Sequence, residues 1–258
     1  MSRPDEFYIG WEAKAPPGIG KLSRRIVVVL FLLALLAPVV LAVSQRMIGS
    51  SAFEWGTLKS FSGILQAGPY PQLLVPRPGE AGGLPRYSTY CLVAPWKFGL
   101  SPEIAGPLDG KSVTFKGTLI YRGNQTMIEV HGTIEASKPA APVALPQAIG
   151  LGRQTLVGEI VDSKCFLGVM NPGQLAPHRA CAIRCISGGV PPVLLVRQKK
   201  GPATYFLLVS ADGKPVNKQV LDWVAEPLEI TGDIERRGDL LILRADPETY
   251  RRLSTARD

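Results

Sequence analysis

The chain has one long apolar run near its start, and beyond it apolar residues come in short groups. The long run extends from Ile26 to Val43 without a charged residue, and this length is close to the shortest helix that crosses a bilayer. Residues 113–116 and 228–231 alternate between apolar and polar, which is typical of half-buried strands. The pattern predicts one transmembrane anchor, residues 26–45, followed by a mainly β structure.

Basic residues flank the apolar run unequally. Lys14, Lys21, Arg24 and Arg25 crowd its N-terminal flank. After it, Arg46 is followed by no basic residue until Lys59. The positive-inside rule therefore predicts a cytoplasmic tail, residues 1–25, with the rest of the chain on the other side of a bacterial inner membrane, in the periplasm. A cleaved signal peptide is the alternative, because Val40 and Ala42 suit cleavage positions, but the long run favours an uncleaved anchor.

The remainder of the chain contains the same order of strands and turns twice. Residues 111–117 align with 226–232, and the turn signals Arg122-Gly123 and Arg237-Gly238 follow at the same distance. In front of these, residues 61–65 resemble 157–161, and residues 71–75 resemble 192–196. Such repetition of residue type and turn position is how a duplicated fold appears in a sequence.

The strand order predicts two tandem OB-like five-stranded barrels, each with a short helical connection after its third strand. In the second copy that connection corresponds to residues 216–224. We expect the first barrel at residues 53–136, a Pro/Ala linker at 137–150, and the second barrel at 151–248. Residues 249–258 form a C-terminal tail.

An insertion distinguishes the second copy from the first. Residues 165–190 separate two strands that only a handful of residues separate in the first copy, and they contain Cys165, His178, Cys181 and Cys185. Pro177 and the pair Gly188-Gly189 suit the start and the end of a short helix. On that helix His178, Cys181 and Cys185 share one face. With Cys165 close by, one imidazole and three sulfurs would suffice for a four-coordinate metal site, with zinc or copper as its ion.

Two other interpretations of the insertion remain open. In an oxidising compartment, two of Cys165, Cys181 and Cys185 would form a disulfide that staples the loop to the helix. A reactive thiol is the third interpretation, although the chain lacks a Cys-x-x-Cys motif. Next to the first cysteine, the pair Asp162-Ser163 is interpreted as a turn.

The other cysteine and the other histidine lie in the first copy. Cys91 falls within a predicted strand and is expected to be a buried small hydrophobe. His131 is expected at the end of the last strand of the first barrel, where it is either an exposed strand-end histidine or an axial haem ligand.

Composition and charge narrow the function classes. The formal net charge is +8, but Lys and Arg are scattered, and aromatic residues make up 7% of the chain. Neither a basic patch nor a stacking platform is indicated, so we expect no nucleic-acid binding. No Gly-rich phosphate loop, His-Glu-x-x-His or Gly-x-Ser-x-Gly occurs, and there are 2 histidines in all. The chain is therefore predicted not to be an enzyme.

Two resemblances extend this interpretation. The segment Val-Gly-Glu-Ile-Val-Asp-Ser-Lys-Cys followed by His-Arg-Ala-Cys-Ala-Ile-Arg-Cys resembles uncharacterised bacterial exported OB-like proteins over about residues 155–245. The resemblance implies an exported, redox-linked accessory protein. The layout of one anchor and an exported barrel is similar to the haem chaperone of cytochrome c maturation, which implies haem at His131. Gly132-Thr133-Ile134 follows that histidine, where the chaperone family has an aromatic residue.

Taken together, the sequence predicts a single-pass, non-catalytic accessory subunit of a membrane-embedded redox or respiratory complex. Its insertion would serve as a disulfide-stapled docking surface or as a metal site. A periplasmic metal or haem carrier is the alternative function, and an exported thiol–disulfide protein is the second alternative.

Overall fold

A computed structural model of the chain describes residues 16–45, 51–81, 84–138, 146–198 and 203–253. Helix α1, Pro17–Gln45, forms a unit separate from residues 50–258. Within Pro17–Ser44, a window of 18 residues has a mean hydropathy of 3.3, so the helix is long and apolar enough to cross a membrane. The helix ends where we expected but begins before residue 26, because Pro17 suits a first helical turn.

The first barrel closes from five strands. The strands of this half are β1 Ser51–Phe53, β2 Lys59–Gln66, β3 Gln72–Ala81, β4 Leu84–Val93, β5 Ser112–Arg122 and β6 Gln125–Ala136. The closed order is β5-β2-β3-β4-β6, with β6 pairing back onto β5, and β1 adds to β5 outside the ring. Strands β4 and β6 are parallel, whereas the other neighbours are antiparallel. This is the strand order of an OB barrel.

The second barrel repeats that order. Its strands are β7 Ala148–Asp162, β8 Pro192–Val196, β9 Thr204–Val209, β10 Leu228–Arg237 and β11 Leu240–Arg244, and β12 Arg251–Arg252 adds to β10. The ring runs β10-β7-β8-β9-β11 and closes between β11 and β10, with β9 and β11 parallel. The prediction of two five-stranded barrels in a mainly β protein is confirmed.

Equivalent glycines correct one part of the predicted alignment. At Gly63 a Cβ would lie 2.4 Å from Leu74 O, and at Gly158 a Cβ would lie 2.5 Å from Leu195 O. Gly63 pairs with Val113 and Gly158 with Leu228, which are equivalent positions of β5 and β10. Matching residues 61–65 to 157–161 was therefore wrong by one residue. A shift by one residue exchanges the two faces of a strand, and the similarity of residue types over five positions did not reveal it.

The connections also differ from the predicted boundaries. Strand β7 begins at Ala148, inside the expected linker, of which residues 139–145 lie outside the described part of the chain. Within residues 216–224 the helical part is a 3-10 turn, Leu221–Trp223. Its counterpart in the first barrel is helix α2, Pro102–Ala105, continued by Gly106–Leu108. Part of the expected C-terminal tail forms β12.

Three of the four apolar clusters among the described residues are large, and the fourth consists of Ile64, Leu74 and Tyr87. One lies inside the first barrel and includes Leu73, Phe115 and Ile128, and a second lies inside the second barrel and includes Leu194, Leu208 and Ile230. The third lies between the barrels, where residues of the first barrel pack against residues of the insertion and the second barrel. Its members include Tyr70, Val93, Ile120, Met127, Cys165, Phe166, Cys185, Val193 and Leu207. Because the insertion contributes to this shared core, it is held by both barrels.

Candidate functional site

The insertion occupies the connection between β7 and β8. After Asp162 the chain makes a π-helical turn, Cys165–Val169, and later a 3-10 turn, Ala176–His178, which leads directly into helix α3, Arg179–Ser187. Helix α3 ends where Gly188 N–H donates to Arg184 O and Cys185 O. The short helix predicted between Pro177 and Gly188 is therefore present.

The structure brings the four predicted ligands together. Cys165 Sγ, Cys181 Sγ and a ring nitrogen of His178 all lie within 4.8 Å of one another. Cys185 Sγ lies 3.8 Å from Cys165 Sγ and belongs with it to a second group, which includes a carboxylate oxygen of Asp162. Cys165, His178 and Cys185 are buried, whereas Cys181 is partly exposed. The cluster is thus enclosed by protein except near Cys181.

No disulfide joins the sulfurs of the cluster in this structure. All four cysteines of the chain are free, and the separation of 3.8 Å between Cys165 and Cys185 is far from a disulfide bond of about 2.05 Å. The hydrogen bond from Cys165 lowers the pKa of the Cys185 thiol, while the same contact and burial raise the pKa of Cys165. Between these two sulfurs, Cys185 is therefore the one that ionises first.

Asp162 is a member of the site that the sequence did not reveal. Its carboxylate is fully buried, accepts the backbone N–H of Cys165 at 2.7 Å and lies 2.8 Å from His178 Nε2. The first contact fixes the turn at Cys165, and the second orients the imidazole. Since Nε2 is held by Asp162, Nδ1 is the ring nitrogen left for a metal. The aspartate was interpreted only as a turn residue because its partner is 16 residues away in the chain.

The first barrel also contributes to the site. Lys97, in the loop between β4 and α2, places its Nζ 2.7 Å from Cys181 Sγ and 4.0 Å from Cys185 Sγ. The hydrogen bond to Cys181 raises the pKa of Lys97, so its ammonium group stays charged at neutral pH. No sequence signal linked this lysine to the cysteines, because the contact joins two barrels.

A buried lysine holds the loop that carries Lys97. Lys164 Nζ donates to Ala94 O at 2.7 Å and to Trp96 O at 2.6 Å, and it lies 2.5 Å from Glu129 Oε2. An ammonium group has three protons to donate, and these three acceptors satisfy them. The lysine next to Cys165 therefore ties the insertion to the first barrel.

His131 and Cys91 are not part of the cluster. Strand β6 continues to Ala136, so the expectation that His131 ends this strand was wrong, because β6 continues to pair with β5 after a register shift. His131 Nε2 lies 3.0 Å from Glu129 Oε1, and the side chain is partly exposed. Cys91 lies in β4 beside the shared core, and burial raises its pKa to about 12. Neither residue adds a donor to the sulfur cluster.

A scan against protein-family models matched none of them, and searches of curated proteins and of solved structures found no match either. The resemblance to exported OB-like proteins stays a prediction. The function must therefore be argued from the geometry of the cluster.

Proposed function

We propose that this protein is a membrane-anchored, non-catalytic accessory subunit whose insertion binds a soft metal ion between the two barrels. Cys165, Cys181 and Cys185 supply three thiolates to the ion, and His178 supplies an imidazole nitrogen. Asp162 orients the imidazole. Sulfur and imidazole ligands of this kind are those that zinc and copper take in proteins.

The spacing of the donor atoms is the observation that supports this proposal. For a tetrahedral ion with metal–sulfur bonds of about 2.3 Å, two thiolates stand about 3.8 Å apart. The Sγ atoms of Cys165 and Cys185 are 3.8 Å apart, and the donors of Cys165, His178 and Cys181 all lie within 4.8 Å of one another. Cys165 belongs to both groups of donors, so an ion beside its sulfur is next to Cys185 on one hand and to His178 and Cys181 on the other.

The hydrogen bonds around the cluster also support metal binding. Ligating histidines usually donate their second ring nitrogen to a carboxylate, and His178 has such a partner in Asp162. In the proposed site the Asp162 carboxylate positions the imidazole of His178 as a ligand. An accessory role fits a site whose four donors are mostly enclosed by protein.

Metal analysis of the purified full-length chain tests the proposal. The wild type isolated from native membranes should contain bound zinc or copper in a stoichiometric amount. His178→Ala and Cys185→Ala should both lose it, because each removes one donor. Cys91→Ala is the matched control, since this cysteine lies outside the cluster, and its metal content should equal that of the wild type. Full metal content in His178→Ala would contradict the proposed ligand set.

A disulfide-stapled docking surface is the second candidate, and the same two sulfurs favour it. Cys165 and Cys185 are adjacent and buried, so their oxidation would need only a small approach of the sulfurs. Counting thiols in the denatured, non-reduced protein separates the candidates. If the site binds metal, all four cysteines should react with a thiol reagent. If it contains a disulfide, two of them should not react.

The cellular setting belongs to the same proposal. The apolar helix supports membrane anchoring, and the flanking charges favour a periplasmic position for both barrels. We infer that the partner is a membrane-embedded redox complex. Purification in mild detergent followed by identification of co-purifying subunits tests this partner, and recovery of the chain alone from native membranes would argue against it.

A further inference from the structure

We propose that Lys97 sets the metal selectivity of the cluster, favouring a monovalent soft ion, copper(I), over divalent zinc. The inference rests on the metal-binding function proposed above and concerns the charge of the ion. The relevant observation is a cation from the first barrel placed against the sulfurs of the second. Lys97 Nζ lies 2.7 Å from Cys181 Sγ and 4.0 Å from Cys185 Sγ.

The fold fixes the backbone from which the exposed side chain of Lys97 extends. Lys164, itself buried, donates to the carbonyl oxygens of Ala94 and Trp96 immediately before Lys97. Trp96 has a φ of 62°, a left-handed conformation that a non-glycine residue adopts only when its surroundings impose it. The strained residue is held by the hydrogen bond from Lys164, and Lys97 follows it directly.

The other end of the loop is attached to the helix of the site. Gly99 N–H donates to Gly188 O at 3.0 Å. A Cβ at Gly188 would lie 2.1 Å from Lys97 O, and a Cβ at Gly99 would lie 2.0 Å from Gly189 O. The backbones of the loop and the helix end therefore touch at positions where glycine alone fits. The backbone of Lys97 is therefore held on both sides, and the hydrogen bond to Cys181 keeps its charge close to any ion that the sulfurs bind.

The charge of Lys97 affects the two ions differently. For the same set of donors both ions displace the same protons, so the ratio of their affinities does not depend on the thiol pKa values. Lys97 therefore changes this ratio through the repulsion between its ammonium group and the ion. The repulsion is twice as large for a divalent ion as for a monovalent one. For one extra unit charge about 5 Å away, this repulsion changes the ratio on the order of tenfold at a partly solvated site. Thiolates themselves already favour copper(I).

Competition titrations of the full-length chain in detergent test the proposal. Copper(I) and zinc(II) are each titrated, without oxygen, against a chromophoric chelator, and the ratio of the two affinities is compared among variants. Lys97→Met should shift the ratio toward zinc on the order of tenfold. Lys97→Gln should do the same, because it keeps a hydrogen-bond donor but loses the charge. Lys97→Arg keeps the charge and should leave the ratio near that of the wild type.

Lys218→Met is the matched control for overall charge, since Lys218 is an exposed lysine of the second barrel. It should not change the ratio. An unchanged ratio in Lys97→Met, with both ions still bound, would overturn the selectivity role but leave the metal site in place. An equal shift in Lys218→Met would overturn it as well. If the wild type binds neither ion, the proposed function itself fails.

Discussion

Lys164 Nζ lies 2.5 Å from Glu129 Oε2, and both side chains are 2% exposed. The lysine directly precedes the insertion of the second barrel, and the glutamate lies in β6 of the first. A fully buried ion pair therefore joins the two halves beside the sulfur cluster. Removing one partner of a buried pair is costly because it leaves an uncompensated charge without water.

Lys164→Met should therefore lower the free energy of unfolding of the barrels by about 3–5 kcal/mol. The measurement is denaturant unfolding of the detergent-solubilised full-length chain. Combining it with Glu129→Gln should recover part of the loss, because the buried negative charge is then also removed. Lys214→Met is the control, since Lys214 pairs with Asp212 at the surface, and it should have little effect. Equal effects of the two lysine variants would refute the structural importance of the buried pair.

Gly158→Ala should destabilise the second barrel by about 1–3 kcal/mol, because its Cβ would overlap backbone of the neighbouring strand. The atom in the way is Leu195 O, 2.5 Å from the added Cβ. Gly150→Ala is a matched control in the same strand, since nothing lies within 4 Å of a Cβ there. Thermal unfolding should give a lower midpoint for Gly158→Ala alone. A similar midpoint in both variants would contradict the close approach of β7 and β8.

Asp162→Ala should weaken both the fold of the insertion and the binding of metal. The change leaves the backbone N–H of Cys165 and the ring of His178 without their buried acceptor, at a cost of at least about 2 kcal/mol. Loss of the carboxylate that orients a ligating histidine should lower metal affinity about 10–100-fold. Asp246→Ala provides the comparison, since Asp246 caps an exposed turn. Metal affinity should be unaffected there, and a wild-type affinity in Asp162→Ala would count against the orienting role.

Glu235 should contribute stability that disappears in acid. Burial acts to raise the pKa of Glu235, but hydrogen bonds from Arg237 and Arg244 outweigh it and hold the pKa below its ordinary value. A lowered pKa stabilises the folded state above the unfolded value of about 4.3, and the stabilisation is lost as the pH falls through the folded pKa. Wild type should exceed Glu235→Gln in unfolding midpoint at pH 7. The difference in midpoint should shrink steadily below about pH 4.3. A difference that grew in acid would show that folding does not lower the pKa of Glu235.

The orientation of the anchor gives a prediction that is independent of the site. Reporters that are active only in the periplasm, fused after Lys138 or after Asp258, should both be active because the basic residues precede the apolar run. The anchor should also remain attached to the mature protein. Protein sequencing that found Val43 as the first residue would show instead that the segment is a cleaved signal peptide.

The sequence by itself determined the architecture. The charge-free run that begins at Ile26 determined the apolar helix, and the turn signals at Gly123 and Gly238 gave the β5–β6 and β10–β11 hairpins their places. These features are local, because helix length and turn conformation depend on residues that are neighbours in the chain. The insertion could be recognised for a related reason. When the two copies of the duplicated fold are compared, the segment that only the second copy contains stands out.

Only the tertiary structure decided how the site is completed. The spacing of His178, Cys181 and Cys185 predicted a shared helix face, but it did not predict that Asp162 would face the imidazole or that Lys97 would face the sulfurs. It also gave no sign of the pair between Lys164 and Glu129. These contacts join residues that are distant in the chain, and they form where the two barrels share one core. Their energies come from burial and charge, which depend on packing in three dimensions and leave no local pattern in the sequence.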